Sequence, residues 1–435
     1  MQKLSVLGLG KLGACTAACL ARAGYDILGV DINQDYVDKI NAAQSPVEEP
    51  YLQETISESK DNLKATTEIS QAIRETDASL LILPTPSKKD GNFDNSYLEK
   101  ALTELAKELK DSKKKYHLFI ITSTVTPKSC DEVLIPLIEK YSLRKINEGF
   151  GLCYNPEFIA LGDVMKDTQN PDFVLIGESD KKAGDLNEQI QKNMTDNNPK
   201  INRMSLVSAE ITKISVNSFV TMKISFANSL ASICEKINGS NIDDISKALG
   251  NDKRISPYYL RGGISFGGPC FPRDNIAFNK FSGDHGVVTP LASATDEINK
   301  IRIQILFKKI NNLNLKEKKV GVLGLSYKPN TPVIEESPSI HLIDYLLENS
   351  FEINAYDSLA IDNTKKRYGT KINYYNSAID CIKNTNTIVL CTMEKEFQKL
   401  EFNTNNEIII IDCWRQIDVS ILPSNVNYIA LGQYN

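Results

Sequence analysis

Gly8, Gly10 and Gly13 form a G-x-G-x-x-G turn in "SVLGLGKLGAC", and Asp31 follows 18 positions after the last glycine. Such a turn lets the backbone approach a pyrophosphate, and the helix it opens presents its N-terminal amides to the phosphates. A carboxylate one strand later accepts hydrogen bonds from an adenosine ribose and repels a 2′-phosphate. No arginine follows in "DINQDYVD", so NAD is favoured over NADP. A glycine turn that only packs helix on strand is the alternative. A second group is "ISFGGPCFPRDN", Ile264 to Asn275, where Cys270 stands among glycines and prolines instead of in helix- or strand-forming sequence. A thiol there can meet substrate, and Arg273 or a lysine could hold it as the nucleophilic thiolate. Otherwise it is a small buried hydrophobe. In the third group Lys213 and Asn217 lie four apart on one helix face, suited to an alcohol or developing alkoxide, although a solvated face accounts for a lone lysine equally well. The three histidines, His117, His285 and His341, stand in no motif-like setting. A histidine base is thus disfavoured and covalent thiol chemistry gains.

These residues need elements to hold them. From Lys3 a short apolar run, the glycine turn, an Ala-rich helix from Leu12 to Ala23 and a strand ending at Asp31 make a βαβ unit. The runs "ASLLILPTP", "HLFIITSTV", "FGLCYNPEF" and "PDFVLIGE" extend it into a parallel sheet with helices on both faces. No proline occurs between Pro199 and Pro257, and Ser208 to Asn238 reads as one helix of ~30 residues, ~45 Å long, apolar on more than one stripe. That pattern suits burial on several sides or packing on another subunit. At Lys319 a second βαβ pattern opens with "KKVGVLGLSYKPN", whose turn lacks the third glycine and carries Lys328, so it is expected to meet an anionic ligand other than a second NAD. The fold class expected is α/β, with two Rossmann-like doubly wound domains joined by a long central helix, divided at 1–203, 204–300 and 301–435.

The chain has 435 residues, 41% of them apolar, which is enough for two or three domains with large cores. A formal charge of -5 with both signs interspersed gives no basic stripe, so neither nucleic acid nor an anionic membrane is an expected partner. The opening "MQKLSVLGLG" is too short and glycine-rich for a signal sequence, and no apolar run nears the ~20 residues needed to span a bilayer. A cytoplasmic protein is expected. Nine cysteines without a C-x-x-C pair indicate neither a disulfide framework nor a metal site.

The order of G-x-G-x-x-G, "YNPEF", "EITKISVNSF", "ISFGGPCFPRD" and "GLSYKPNT" resembles the UDP-glucose/GDP-mannose dehydrogenases, from the first strand to the last. The resemblance implies NAD-dependent, four-electron oxidation of the C6 alcohol of a nucleotide sugar to the carboxylate. UDP-glucose to UDP-glucuronate is the foremost expectation. A UDP-N-acetylhexosamine or GDP-mannose substrate, and a noncatalytic nucleotide-sugar or NAD binder, are the alternatives. By position, Cys270 would be the nucleophile, Lys213 would stabilise oxyanions, Asn217 would orient the C6 oxygen, Asp274 would order water, and Glu157 and Thr124 would handle water and protons. Lys11, Leu12, Thr85, Pro86, Thr124 and Arg273 would line the cofactor beside the three glycines and Asp31. Phe158, Tyr258, Tyr259, Gly267, Lys328 and Arg415 would join Lys213 and Asn217 around the substrate. Arg254, 16 residues before the cysteine, falls where the family reaches an arginine across a homodimer interface. Three positions depart from the pattern: Leu161 where a glutamate is usual, Glu335 where an arginine is usual, and Pro269 where serine is frequent. In the family the first two lie near the nicotinamide, which implies changed cofactor affinity with the chemistry retained; the third bears on which sugar is bound.

Overall fold

The computed structural model describes residues 2–159, 162–402 and 407–434, and the chain divides into two compact units, Met1–Ile214 and Ser215–Asn435. The first is built on an eight-stranded sheet of order β3-β2-β1-β4-β5-β6-β7-β8, with β1 Lys3–Leu7, β2 Asp26–Val30, β3 Leu63–Thr66, β4 Ala78–Leu81, β5 Leu118–Ile121, β6 Gly151–Tyr154, β7 Phe173–Glu178 and β8 Lys200–Ser205. Successive side chains alternate between faces. Leu4, Val6, Ile27, Leu80 and Ile120 therefore join one core, and Leu7, Leu81, Phe119, Ile121 and Leu175 the other. Helix α1, Lys11–Arg22, covers the first face with Ala14, Ala17, Ala18 and Ala21 buried, and these small side chains let it lie close to the strands.

One expectation is corrected. The sheet is not parallel throughout, because β7 runs antiparallel to β6 and then pairs parallel with β8. A strand buried on both faces reads as an apolar run in either direction, so its sequence carries no sign of which way it points.

The long helix α2 is Leu206–Cys234, 29 residues, and the division between the two units falls inside it. It stops four residues short of the expected Asn238, and Gly239, at φ +81°, lies in the turn that follows. Within the second unit Phe219, Phe226 and Ile233 are exposed at seven-residue spacing, an apolar stripe along one side of α2. A neighbouring side buries Ala227, Ala231 and Cys234. Helices α3, Ile242–Gly250, α4, Phe271–Asp284, and α5, Pro290–Asn311, follow. The sheet of this unit has order β11-β10-β9-β12-β13-β14 and is parallel throughout, with β9 Lys319–Leu323, β10 Glu352–Tyr356, β11 Asn373–Tyr374, β12 Thr387–Leu390, β13 Ile408–Asp412 and β14 Val426–Ala430.

Two buried polar residues pin the segment that leads to α4. Asn228 of α2 accepts from the Gly263 amide at 2.8 Å and donates to the Ile264 carbonyl at 3.1 Å. Arg302 of α5, 2% exposed, donates to the Gly263 carbonyl and pairs with Glu235 at 2.8 Å. A buried guanidinium is tolerable only when so engaged. Among the described residues no helix is long and apolar enough to cross a membrane, and no group of three or more His, Cys, Asp or Glu side chains could hold a metal ion.

Candidate active site

In the first unit the glycine turn sits between β1 and α1. Gly8, at φ +93°, donates its amide to the Val30 carbonyl at 2.8 Å, and a Cβ on Gly13 would collide with the Gly8 carbonyl. Gly10 differs from both, since nothing lies within 4 Å of where its Cβ would be. It stands at the N-cap of α1 without a side-chain cap, so the first-turn amides point toward open space. Asp31 accepts from the Leu9 amide at 2.6 Å and the Asn33 amide at 2.8 Å, which fixes the carboxylate at the end of β2. The sheet order reverses between β1 and β4, where doubly wound sheets bind ligands beyond their carboxyl ends. These residues fit a dinucleotide: a cradle that a side chain would fill, uncapped amides for the pyrophosphate and an anchored acid for the ribose. Lys11 pairs with buried Glu49 at 3.2 Å, and Leu12 packs into the core beneath α1. The turns after β4 and β5 are joined, with the Thr85 hydroxyl donating to the Thr124 carbonyl at 2.6 Å. Pro86 beside it is exposed.

The same unit brings Glu157, Phe158 and Lys213 together. The Lys213 ammonium donates to the Glu157 carbonyl at 2.8 Å and lies over the Phe158 ring at 4.6 Å. The Glu157 carboxylate accepts from Thr16 of α1 at 3.2 Å, while its Oε2 is buried without a hydrogen-bond partner among the described residues. Burial pushes this carboxyl up to about 7, against the lowering pull of Thr16 and Lys213. It can thus take or release a proton near neutrality. Thr16 carried no sequence signal beyond its place on the Ala-rich helix.

In the second unit Cys270 is the N-cap of α4 and is exposed; the other eight cysteines are buried. A helix N-terminus favours a thiolate through its amides and dipole. One turn on, Asp274, 1% exposed, accepts from Asn217 of α2 at 2.7 Å and lies 3.6 Å from the Arg273 guanidinium. In both units the sequence-expected groups cluster locally. The turn before Cys270 is held by Gly267, where a Cβ would strike the Glu336 carbonyl, and by the Gly268 amide donating to the Glu335 carbonyl at 3.1 Å. Glu335 itself is exposed, and Leu161 lies outside the described residues. Pro269, between the Gly268 turn and the thiol, is half-buried. Tyr259 meets Phe271 edge-on at 6.2 Å, and Tyr258 is exposed.

Two expected substrate cations are engaged within the protein. Arg415 forms a bidentate pair with Asp243 of α3 at 2.7 and 2.9 Å, donates to the Gly262 carbonyl at 2.8 Å and is 4% exposed in its side chain. Arg254 is exposed and pairs with Asp252 at 2.6 Å. Lys328 is half-buried on the loop after β9. That loop repeats the first one in its backbone bonds: Gly324 donates to the Tyr356 carbonyl at 2.9 Å, and the Leu325 amide to Asp357 at 2.7 Å. Asp357 is 4% exposed and also accepts from the amides of Ser326, Leu359 and Ala360.

Comparison with known proteins adds to this geometry. Three models of the UDP-glucose/GDP-mannose dehydrogenase family match the chain: the NAD binding domain over residues 2–195, the central domain over 207–301 and the UDP binding domain over 321–419. The UDP-glucose 6-dehydrogenase AglM of Haloferax volcanii is 34% identical over 416 residues, covering 94% of this chain and 96% of that one. A GDP-mannose 6-dehydrogenase of Pseudomonas syringae pv. tomato is 32% identical over 427 residues, covering 94% and 95%. The structure of a UDP-glucose dehydrogenase from Pyrobaculum islandicum superposes with a TM-score of 0.89 at 26% identity, covering 100% of this chain and 98% of that one.

Proposed function

The chain belongs to the UDP-glucose/GDP-mannose dehydrogenase family, with NAD as cofactor, and from that premise we propose that it oxidises the C6 alcohol of a nucleotide sugar to the carboxylate through a covalent bond to Cys270. UDP-glucose is the substrate we favour, in keeping with the Haloferax relative. The GDP-mannose 6-dehydrogenase relative gives the competing reading. The observation that carries the thiol assignment is the exposure of Cys270 at the N-cap of α4 while eight other thiols are buried.

NAD, when bound, would supply the hydride acceptor for the two oxidations, two NAD being used per sugar. On this reading the Cys270 thiolate adds to the C6 aldehyde left by the first, giving a thiohemiacetal that becomes a thioester at the second. Water then cleaves the C–S bond, releasing the carboxylate and returning the thiol. Lys213 supplies positive charge to the oxyanions. Asn217 orients the C6 oxygen. Asp274 and Glu157 manage the water and its protons, and Thr124 belongs to the same set. Gly8, Gly10, Gly13 and Asp31 hold the dinucleotide. Lys328 and Arg415 meet the nucleotide diphosphate and sugar, Arg415 being held in place by Asp243 and the Gly262 carbonyl. Residues 204–300 form the assembly segment, in which the apolar stripe of Phe219, Phe226 and Ile233 pairs with its copy in a homodimer and Arg254 completes the partner's site. An assembly of that kind predicts that Phe226→Glu sediments as a monomer and loses activity; a fully active monomer would remove the dimer from the reading.

The test of the function is NADH release on mixing the protein with UDP-glucose, UDP-N-acetylhexosamines and GDP-mannose. Two NADH per UDP-glucose is the expected result. Turnover of another sugar alone would reassign the substrate, and binding without NADH from any would reduce the chain to a noncatalytic binder.

A further inference from the structure

Glu210 of α2 is 0% exposed, and both of its carboxylate oxygens are taken by backbone amides of a distant segment: Lys128 donates at 2.6 Å and Cys130 at 2.8 Å. Burying an acid is costly, and these two hydrogen bonds offset the cost. What they hold is a strained turn. Lys128 adopts φ +75°, a left-handed conformation that a residue with a side chain keeps only when its surroundings impose it. Its amide is one of the two that Glu210 accepts, so the carboxylate and the conformation come together.

This turn continues from β5. Its near end is tied to the turn after β4, where the Ser123 hydroxyl accepts from the Leu83 amide at 2.9 Å and the Thr85 hydroxyl donates to the Thr124 carbonyl at 2.6 Å. Its far end closes with the Ser129 amide donating to the Thr126 carbonyl at 3.0 Å, before a helical stretch begins at Cys130. Thr124 thus lies on a short span fastened at both ends, and the far fastening is to α2. Three residues on from Glu210, Lys213 donates to the Glu157 carbonyl beyond β6 at 2.8 Å. Residues three apart are neighbours on a helix surface. One turn of α2 therefore holds the ends of two adjacent strands, β5 through Glu210 and β6 through Lys213.

We propose that Glu210 is a positioning residue: its carboxylate fixes the turn after β5, and with it Thr124, in register with Lys213 and Glu157. This rests on the reading of those three as members of one reaction site. Glu210 itself touches neither substrate nor cofactor on this proposal, since its side chain is wholly enclosed.

The experiment is a double-mutant cycle between Glu210 and Thr124 in the full-length protein, read well below the melting temperature in NAD affinity by calorimetric titration and in kcat from NADH release. Glu210→Gln fills the same space but turns an NH2 toward one of the two amides, so the turn is held at a single point. NAD should bind roughly fivefold more weakly, and kcat should fall on the order of tenfold. In a Thr124→Val background the same change should cost less than about twofold in either quantity, because the residue it positions is already disabled. Glu210→Asp keeps the charge and, one methylene shorter, reaches one amide; it takes the place of Glu210→Gln in the cycle, with a smaller loss, if that variant does not fold. A lower melting temperature with wild-type NAD affinity and kcat would leave Glu210 a purely structural residue and overturn the proposal. Losses that multiply with those of Thr124→Val would overturn it as well. Wild-type protein that releases no NADH from any nucleotide sugar would sink the function reading instead, and the NAD titrations alone would then decide between these outcomes.

Discussion

The side-chain amide of Asn217 donates to the Asp274 carboxylate at 2.7 Å, tying α2 to the first turn of α4 directly behind Cys270. Asp274 is 1% exposed and its other oxygen is buried without a hydrogen-bond partner among the described residues. Asn217→Ala would leave a buried carboxylate without its closest donor. The expected cost is about 1–3 kcal/mol in thermal or urea unfolding, with a fall in kcat. Stability unchanged within a few tenths would mean that water replaces the amide fully.

Glu157 makes stability depend on pH with a definite sign. Its carboxyl is raised by burial from the usual 4.5 to about 7. The folded state therefore holds the proton more tightly than the unfolded chain does. The stabilisation is complete below about pH 4.5, is lost progressively as the pH rises to about 7, and stays lost above it. The swing is on the order of 3 kcal/mol at most. Glu157→Gln should flatten that slope in unfolding measured between these pH values, and in turnover it should remove an inflection near neutrality. Lys213→Ala should move the inflection upward, because Lys213 now lowers this carboxyl.

Gly10 and Gly13 are three positions apart and should fail differently. Alanine at 10 meets open space at an ordinary backbone angle, φ -64°, so Gly10→Ala should melt like wild type yet bind NAD at least tenfold more weakly. Alanine at 13 would strike the Gly8 carbonyl, and Gly13→Ala should lose several kcal/mol of stability. Calorimetric titration of NAD beside thermal melts checks both. Normal NAD affinity in Gly10→Ala would place the pyrophosphate elsewhere.

Cys270→Ser should bind both ligands nearly as wild type does while steady-state oxidation collapses, because a serine hydroxyl stays protonated near neutrality. An adduct of the nucleotide sugar accumulating slowly on the mutant would be visible by intact mass. Two NADH per sugar at a near-wild-type rate would return Cys270 to a structural loop residue. Lys213→Ala should slow both hydride steps by about 3 kcal/mol, by analogy with other oxyanion donors.

Much of this architecture was legible because glycine spacing, strand-to-acid distance and helix length are local properties. The β1 turn, Asp31, α2 and the placement of Cys270 outside regular structure were all readable from their own neighbourhoods. What was not readable depends on partners distant in sequence. The reversal of β7 leaves no mark in an apolar run. Arg415 is occupied by Asp243, 172 residues away, which no spacing reveals. Thr16 reaches Glu157 across 141 residues, and Tyr327 meets Gly268 only once both loops are in place. Local pattern locates candidate chemistry; long-range pairing sets how each candidate is held.

Asp31 and Asp357 occupy matching places, each taking the amide of the residue after the first glycine of its turn, but they differ in what a lineage can do with them. Asp31 stands at the end of β2 and takes two amides; on the proposed reading its replacement would change which dinucleotide is preferred while the sheet survives. Asp357 is buried under four amides, and its replacement would unstitch the loop that carries Tyr327 and Lys328. On that reading, cofactor preference in the first half would be open to change by a single step. The second half offers no comparable single step, because the carboxylate in the matching place is a strut of its loop.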